Sequence, residues 1–269
     1  MTNLVFFELV SIEFNRIDTF TTTMIQIKFG LIGKNLKHSF SALYFHNKWA
    51  NEGINLYNYQ LFEIADEEEI KEFLLIHNRY RGFNITIPYK QVILEHLEEL
   101  TQEAIEIGAV NCIKKLDLVW KGHNTDGPAF LKTLEGFIPS NYSSQALILG
   151  TGGSSKAVQW ALKKRNISFD IVSRSSKDLN YDNLLTSWNK NWQLIINTTP
   201  LGMYPDSNNF PRIPYYCLDS QCYAIDLIYN PKETIFLRNL KERGCKVING
   251  LDMLKIQADL SFDFWMNDI

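Results

Sequence analysis

Ala146-Leu147-Ile148-Leu149-Gly150-Thr151-Gly152-Gly153-Ser154-Ser155-Lys156-Ala157 reads as a strand, a glycine-rich turn and a helix. Four apolar residues in a row suit a strand buried on both faces. The segment Lys156–Leu162 then has the composition of a helix. This order is the one that receives a dinucleotide pyrophosphate. Gly150 permits a tight turn. Gly152 and Gly153 lack a Cβ, so phosphate oxygens could approach the backbone closely. The N–H groups and partial positive charge of the helix start face the same point. Ser155 stands at the last small position of the fingerprint, where glycine is usual.

Downstream, Phe169-Asp170-Ile171-Val172 completes a strand–helix–strand unit, with the helix running to about Lys164. The residue after that second strand chooses between the two nicotinamide dinucleotides. An acid hydrogen-bonds a ribose 2′-hydroxyl, whereas a base accommodates a 2′-phosphate. Here the strand ends in Ser173-Arg174-Ser175-Ser176-Lys177, with no acid at that point. Arg174 can pair a phosphate and stack on adenine, and the serines can donate hydrogen bonds. One charge-assisted bond is worth about 1.5–3 kcal/mol, roughly ten- to a hundredfold in affinity, so NADP(H) is expected over NAD. Further strands are expected at Gln193–Asn197, leading into Thr198-Thr199-Pro200, at Cys222–Tyr229, and at Cys245–Gly250; a final helix starts at Leu251.

Upstream, a strand is expected over Ile25–Ile32, ending at Gly33, followed by a polar loop to Ser41 and a helix from Ala42 through Trp49. Ser39 and Ser41 lie just before that helix. They read either as turn and cap residues or as donors to a carboxylate or polyhydroxylated ligand. A second strand follows at Tyr57–Ile64, and the acidic run Asp66–Glu69 suits the start of a helix. In Gly82–Ile87, alternation puts Asn84 and Thr86 on one face. Pro88 should end that strand, and Tyr89-Lys90 should open a helix. Lys90 would then sit at the carboxyl end of a strand, where open α/β sheets bind ligands. Gly108–Ile113 reads as a turn into a strand, and Trp120–Gly127 as a short strand ending in polar residues. Together these strand ends offer Ser, Asn, Thr, Lys and Asp, a set suited to a ligand with several hydroxyls and a carboxylate.

The 269 residues suit one large domain or two small ones. A net charge of −3 gives no basic surface for nucleic acid. Cys112, Cys217, Cys222 and Cys245 form no CxxC pair and have no metal-ligand spacing with the histidines, so reduced thiols in a cytoplasmic protein and no metal are expected. No apolar run is long enough to span a membrane. Leu4-Val5-Phe6-Phe7 is interrupted by Glu8 and lacks a basic lead and a cleavage site. Met24 directly precedes the first expected strand, and residues 1–23 are expected to lie outside the functional fold, with activity surviving their deletion.

The ordered set Gly33…His38-Ser39-x-Ser41…His46-Asn47, Asn84-Ile85-Thr86-Ile87-Pro88-Tyr89-Lys90, Gly108-Ala109-Val110-Asn111 and Asn124-Thr125-Asp126-Gly127 resembles the shikimate dehydrogenase family. So do Gly150-x-Gly152-Gly153, Asn197–Met203, Asp226-x-x-Tyr229-x-Pro231 and Asn249-Gly250-x-x-Met253-Leu254-x-x-Gln257. The resemblance covers roughly residues 25–265. It departs at Ala42, where the family often has Pro, and at Cys112, where Thr is common.

The resemblance implies a two-domain α/β fold. A substrate domain with a mostly parallel sheet would span 25–125, after an extension at 1–24. A Rossmann-like NADP domain would span 126–250, and a C-terminal helix at 251–269 would return to the first domain. It implies NADPH-dependent reduction of 3-dehydroshikimate to shikimate, in aromatic amino-acid biosynthesis. Lys90 and Asp126 would be the catalytic pair. Ser39 and Ser41 would bind the substrate carboxylate; Asn84, Thr86, Asn111, Asp126 and Gln257 the ring hydroxyls; Tyr229 would line the pocket. Gly150, Thr151, Gly152, Gly153, Ser173, Arg174, Ser175, Lys177, Thr198, Met203 and Gly250 would contact the cofactor. The remaining readings are an NAD-using quinate/shikimate dehydrogenase and a non-catalytic ligand-binding relative. A monomer or homodimer is expected.

Overall fold

The protein is described by a computed structural model covering residues 26–37, 39–174, 176–177 and 179–267. The N-terminal extension lies outside the described residues. The first sheet is built around β1 (Ile27–Gly33), whose neighbours are β2 (Tyr57–Glu63) and β3 (Gly82–Ile85), both parallel to it. Beyond β3 come β5 (Cys112–Leu116) and β6 (Val119–His123), joined antiparallel, and the two-residue β4 (Glu99–Leu100). The order is β2-β1-β3-β5-β6-β4. Three of its five pairings are parallel (β1 with β2, β1 with β3, β4 with β6), so the sheet is mixed.

Its two faces are covered by different helices. On one side α2 (Glu69–Ile76) contributes Ile70 and Leu74, which pack with Ile32, Phe83 and Ile85. On the other, α1 (Ser41–Asn51) buries Phe45 and Trp49 against Phe29 and Leu31. The helix expected at Tyr89-Lys90 is instead a run of turns followed by a 3₁₀ turn at Val92–His96. Tyr89 is held there by its side chain, whose hydroxyl donates to the Ile64 carbonyl at 2.6 Å. A short helix, α3 (Gln102–Ile107), is capped by the Thr101 hydroxyl, which accepts from the Ala104 N–H at 3.4 Å. It ends at Gly108, whose φ of +66° favours glycine.

The second sheet is parallel throughout, in the order β11-β10-β9-β7-β8. Its strands are β7 (Gln145–Leu149), β8 (Phe169–Val172), β9 (Trp192–Asn197), β10 (Tyr223–Asp226) and β11 (Lys246–Ile248). The apolar run Ala146–Leu149 is its centre, and all four residues are fully buried. Helices α4 (Asp126–Phe137) and α5 (Gly153–Lys164) pack on one face, and α6 (Ile235–Glu242) on the other. From β7 the chain steps one way to β8 and then the other way to β9. That reversal makes the carboxyl ends of β7 and β9 the switch point where such sheets take their ligand.

The last helix, α7 (Leu251–Met266), belongs to both cores. Its Met253, Ile256 and Leu260 pack on the second sheet. Its Ala258, Phe264 and Trp265 pack on the first, where Trp265 stacks on Phe29 at 4.7 Å between ring centres. The sequence led us to expect a helix returning to the first domain; α7 does this while keeping its N-terminal half on the other lobe.

Asp226, at the end of β10, is fully buried. Its carboxylate accepts from Asn197 Nδ2 at 3.0 Å, from the Ile228 N–H at 3.1 Å and from the Thr234 hydroxyl at 2.6 Å. These bonds oppose burial without cancelling it, and the pKa is pushed up to about 6. An acid with a raised native pKa is protonated more readily when folded, so its contribution to stability falls as pH rises from about 4 to about 6. The expected size is on the order of 2–3 kcal/mol. Asp226→Asn removes this titration: its stability relative to wild type, read from urea midpoints, should rise across that interval and be level above it. A constant difference from pH 4 to 7 would contradict the assignment.

Candidate active site

A cavity of about 580 Å³ lies where the carboxyl ends of the two sheets face each other. Ser39, Ser41, Asn84, Thr86, Lys90, Asn111, Asp126, Met203, Tyr229, Gly250 and Gln257 all line it. They come from the loop after β1, the end of β3, the turn before β5, the start of α4, the ends of β9 and β10, and α7. A larger hollow of about 820 Å³, between α2 and the β5–β6 turn, contains none of them.

The Lys90 ammonium donates to Asp126 Oδ2 at 2.6 Å, and both side chains are largely buried, at 13% and 8% exposure. Burial of this degree removes most of the solvent screening that weakens surface pairs. Asp126 is the first residue of α4, where the helix start favours a carboxylate. Its other oxygen, Oδ1, accepts from Asn111 Nδ2 at 2.9 Å. Asn111 is itself fixed: its Oδ1 accepts from the Thr125 N–H at 2.7 Å, and its Nδ2 reaches Thr125 Oγ1 at 2.9 Å and Gln257 Oε1 at 3.4 Å. Here Asn111 chiefly holds Asp126. Asn84 Oδ1 accepts from the Tyr59 hydroxyl at 2.9 Å, while Nδ2 donates to Ser261 Oγ at 2.8 Å and to the Asn111 carbonyl at 3.2 Å. What Asn84 can still offer to the cavity is therefore an acceptor lone pair.

At the cavity's other wall, Tyr229 lies 6.0 Å from Phe40, ring to ring, beside the Ser39–Ser41 loop. Burial raises its phenol pKa. Ser39 Oγ accepts from the Ser41 N–H at 3.3 Å, so part of this pair serves the turn itself. Met203 is 42% exposed and belongs to the cavity wall rather than to a core.

The glycine turn is aimed at this pair. A Cβ at Gly153 would meet the Lys90 Cβ at 3.0 Å. Gly150 has φ +112°, and a Cβ there would lie 2.8 Å from Thr198 Oγ1 on the neighbouring β9 loop. Gly152 caps α5 with no side-chain hydrogen bond, and a Cβ on it would meet nothing within 4 Å. Among the described residues nothing requires glycine at this position, and the open space beside the helix start suits an approaching phosphate. Gly250 is different: a Cβ would come within 2.1 Å of the Leu227 carbonyl oxygen, so the close approach of α7 to β10 demands glycine. Thr151, Arg174 and Lys177 are exposed and Ser173 half-buried around the ends of β7 and β8. Ser175 lies outside the described residues.

Sequence reading missed Ser154, whose Oγ lies 3.4 Å from the Lys90 ammonium. It also missed the buried supports Tyr59, Thr125 and Ser261. One available signal was the four-residue step from Gln257 to Ser261, which puts both on one helix face.

A parallel sheet with a glycine turn at its switch point, facing a buried lysine–aspartate pair across a cleft, defines a dinucleotide-binding oxidoreductase. The comparisons give the family. A model describing the shikimate dehydrogenase substrate binding domain matches residues 31–113. A protein of Methanococcus maripaludis named shikimate dehydrogenase (NADP(+)) is 38% identical over 254 residues, covering 88% of this chain and 90% of its own. Among solved structures, the chorismate mutase/shikimate 5-dehydrogenase fusion protein of Clostridium acetobutylicum aligns with a TM-score of 0.79 at 35% identity, over 91% of this chain and 92% of that one. The shikimate 5-dehydrogenase of Thermus thermophilus, in complex with NADP(H) and shikimate, gives 0.76 at 30% identity, over 90% and 94%. The chain belongs to the shikimate dehydrogenase family.

Proposed function

We propose that this chain reduces 3-dehydroshikimate to shikimate with NADPH, as an enzyme of the cytoplasm in aromatic amino-acid biosynthesis. The observation that carries the reading is the buried Lys90–Asp126 ion pair, set against the glycine turn at the floor of a cavity lined with hydroxyl and amide groups. In this reading residues 25–125 hold the substrate, 126–250 hold the cofactor, and 251–269 tie the two together. Gly150, Thr151, Gly152, Gly153 and Thr198 would cradle the pyrophosphate, Ser173, Arg174, Ser175 and Lys177 the 2′-phosphate, and Met203 and Gly250 would flank the nicotinamide.

When bound, the cofactor supplies the hydride. The protein's share is binding, orientation and proton handling. Lys90 would donate to the ketone oxygen as negative charge builds there, and would supply the proton. Asp126 fixes the ammonium by accepting one of its protons, and Asn111 fixes Asp126 in turn. Ser39 and Ser41 would receive the carboxylate. Asn84, Thr86, Asn111, Asp126 and Gln257 would sort the ring hydroxyls, with Asn84 as an acceptor.

The test is a steady-state comparison of shikimate and quinate, each with NADP⁺ and NAD⁺. The highest kcat/KM should belong to shikimate with NADP⁺. Preference for quinate, or for NAD⁺, would overturn the reading in favour of the broader quinate/shikimate class.

A further inference from the structure

Beneath the cavity floor sits a hydroxyl for which the proposed reaction has no direct use. Ser261, in α7, is fully buried. Its Oγ accepts from Asn84 Nδ2 at 2.8 Å, meets Thr125 Oγ1 at 3.1 Å, and donates to the Gln257 carbonyl at 2.8 Å. The direction of each bond follows from counting protons. With its single proton committed to Gln257, the Ser261 oxygen can only accept from its other two partners. Thr125 accepts from Asn111 Nδ2 at 2.9 Å, and its own proton is shared between Ser261 Oγ at 3.1 Å and Asn111 Oδ1 at 3.2 Å. Asn84, likewise, is compelled to turn its Nδ2 towards Ser261, leaving Oδ1 for the Tyr59 hydroxyl at 2.9 Å and for the cavity.

We propose, resting on the function argued above, that Ser261 is a positioning residue for substrate recognition: its hydroxyl fixes the orientation of the Asn84 amide, so that Asn84 presents an acceptor rather than a donor to a ring hydroxyl. The same oxygen ties α7, which carries Gln257, to Thr125, the residue preceding Asp126. A helix from the far end of the chain is thereby registered against both the β3 end and the α4 start. Without the Ser261 oxygen, the Asn84 amide loses the shorter of its two buried acceptors, and only the 3.2 Å bond to the Asn111 carbonyl still favours the same flip state. A flipped amide would point Nδ2 into the cavity and meet a substrate hydroxyl with the wrong polarity.

The test is Ser261→Ala, measured with 3-dehydroshikimate and NADPH. KM for 3-dehydroshikimate should rise roughly tenfold, with KM for NADPH within twofold of wild type. Adding Ser261→Ala to Asn84→Ala should cost no more in kcat/KM than Asn84→Ala alone, because Ser261 acts through that amide. A second arm needs no turnover: side-chain amide protons of Asn84, followed by NMR, should exchange with solvent faster in Ser261→Ala than in wild type. Equal losses in both KM values together with a fall in melting temperature would show a merely structural serine and overturn the proposal. So would an unchanged substrate KM, or strictly multiplicative losses in the double variant. If wild type itself consumes no NADPH, the functional reading falls, and the exchange arm alone decides whether Ser261 orders the Asn84 amide.

Discussion

Lys90→Ala is expected to lower kcat for ketone reduction by a factor of about 10²–10⁴ while leaving KM for NADPH nearly unchanged. The range is that of a removed general acid. Its expected sharpness comes from the surroundings. Lys90 is 13% exposed and bonded to Asp126 at 2.6 Å, so the ammonium is held in one place as a donor, which a water entering the truncated site would not be. The substitution also leaves Asp126 as a buried carboxylate without its cation. Part of any stability loss then belongs to the unpaired charge rather than to packing. Lys90→Met with Asp126→Asn separates the two effects: stability should recover towards wild type while kcat stays low. A kcat within a few-fold of wild type in Lys90→Ala would remove Lys90 from the chemistry.

The second large effect concerns the choice of dinucleotide. Arg174 and Lys177 lie exposed beyond the end of β8, the position from which, in the function proposed above, they would reach the adenosine ribose. Each contact to a 2′-phosphate is worth roughly ten- to a hundredfold. Replacing both residues by alanine is therefore expected to raise KM for NADPH about 10²–10⁴-fold, with KM for NADH changed little. The ratio of the two kcat/KM values, measured in the same buffer, isolates the phosphate from the rest of the cofactor. Because the residues are exposed, the loss should shrink as ionic strength rises. Equal losses for NADPH and NADH would mean that these side chains act on something other than the 2′-phosphate.

The second lobe was the more legible half of the sequence. Buried parallel strands write themselves as apolar runs, and Ala146–Leu149, Phe169–Val172 and Gln193–Asn197 fall where β7, β8 and β9 lie. The first lobe was harder for identifiable reasons. Its two-residue β4 carries no periodicity. Tyr89-Lys90 follows a proline that suits a helix start, but a tyrosine hydroxyl anchored to a distant carbonyl holds the segment in turns instead.

At the site, the outer layer could be read from the sequence, since Ser, Asn, Lys and Asp at strand ends are conspicuous. The layer that orients them could not. Tyr59 sits in an edge strand, Thr125 looks like an ordinary helix cap, and Ser261 lies in a helix otherwise rich in apolar residues. Each becomes meaningful only when segments far apart in the chain are brought together, as in the bond from Asn84 to Ser261.

Whether the cavity turns over a ketone is decided by one assay. Purified chain should be mixed with NADPH and 3-dehydroshikimate, following loss of the reduced-nicotinamide absorbance together with the shikimate formed. Catalytic turnover is expected, with one shikimate produced for each NADPH consumed. Saturable binding of both ligands with no loss of absorbance would contradict it, and would make the Lys90–Asp126 pair part of a receptor rather than of an enzyme.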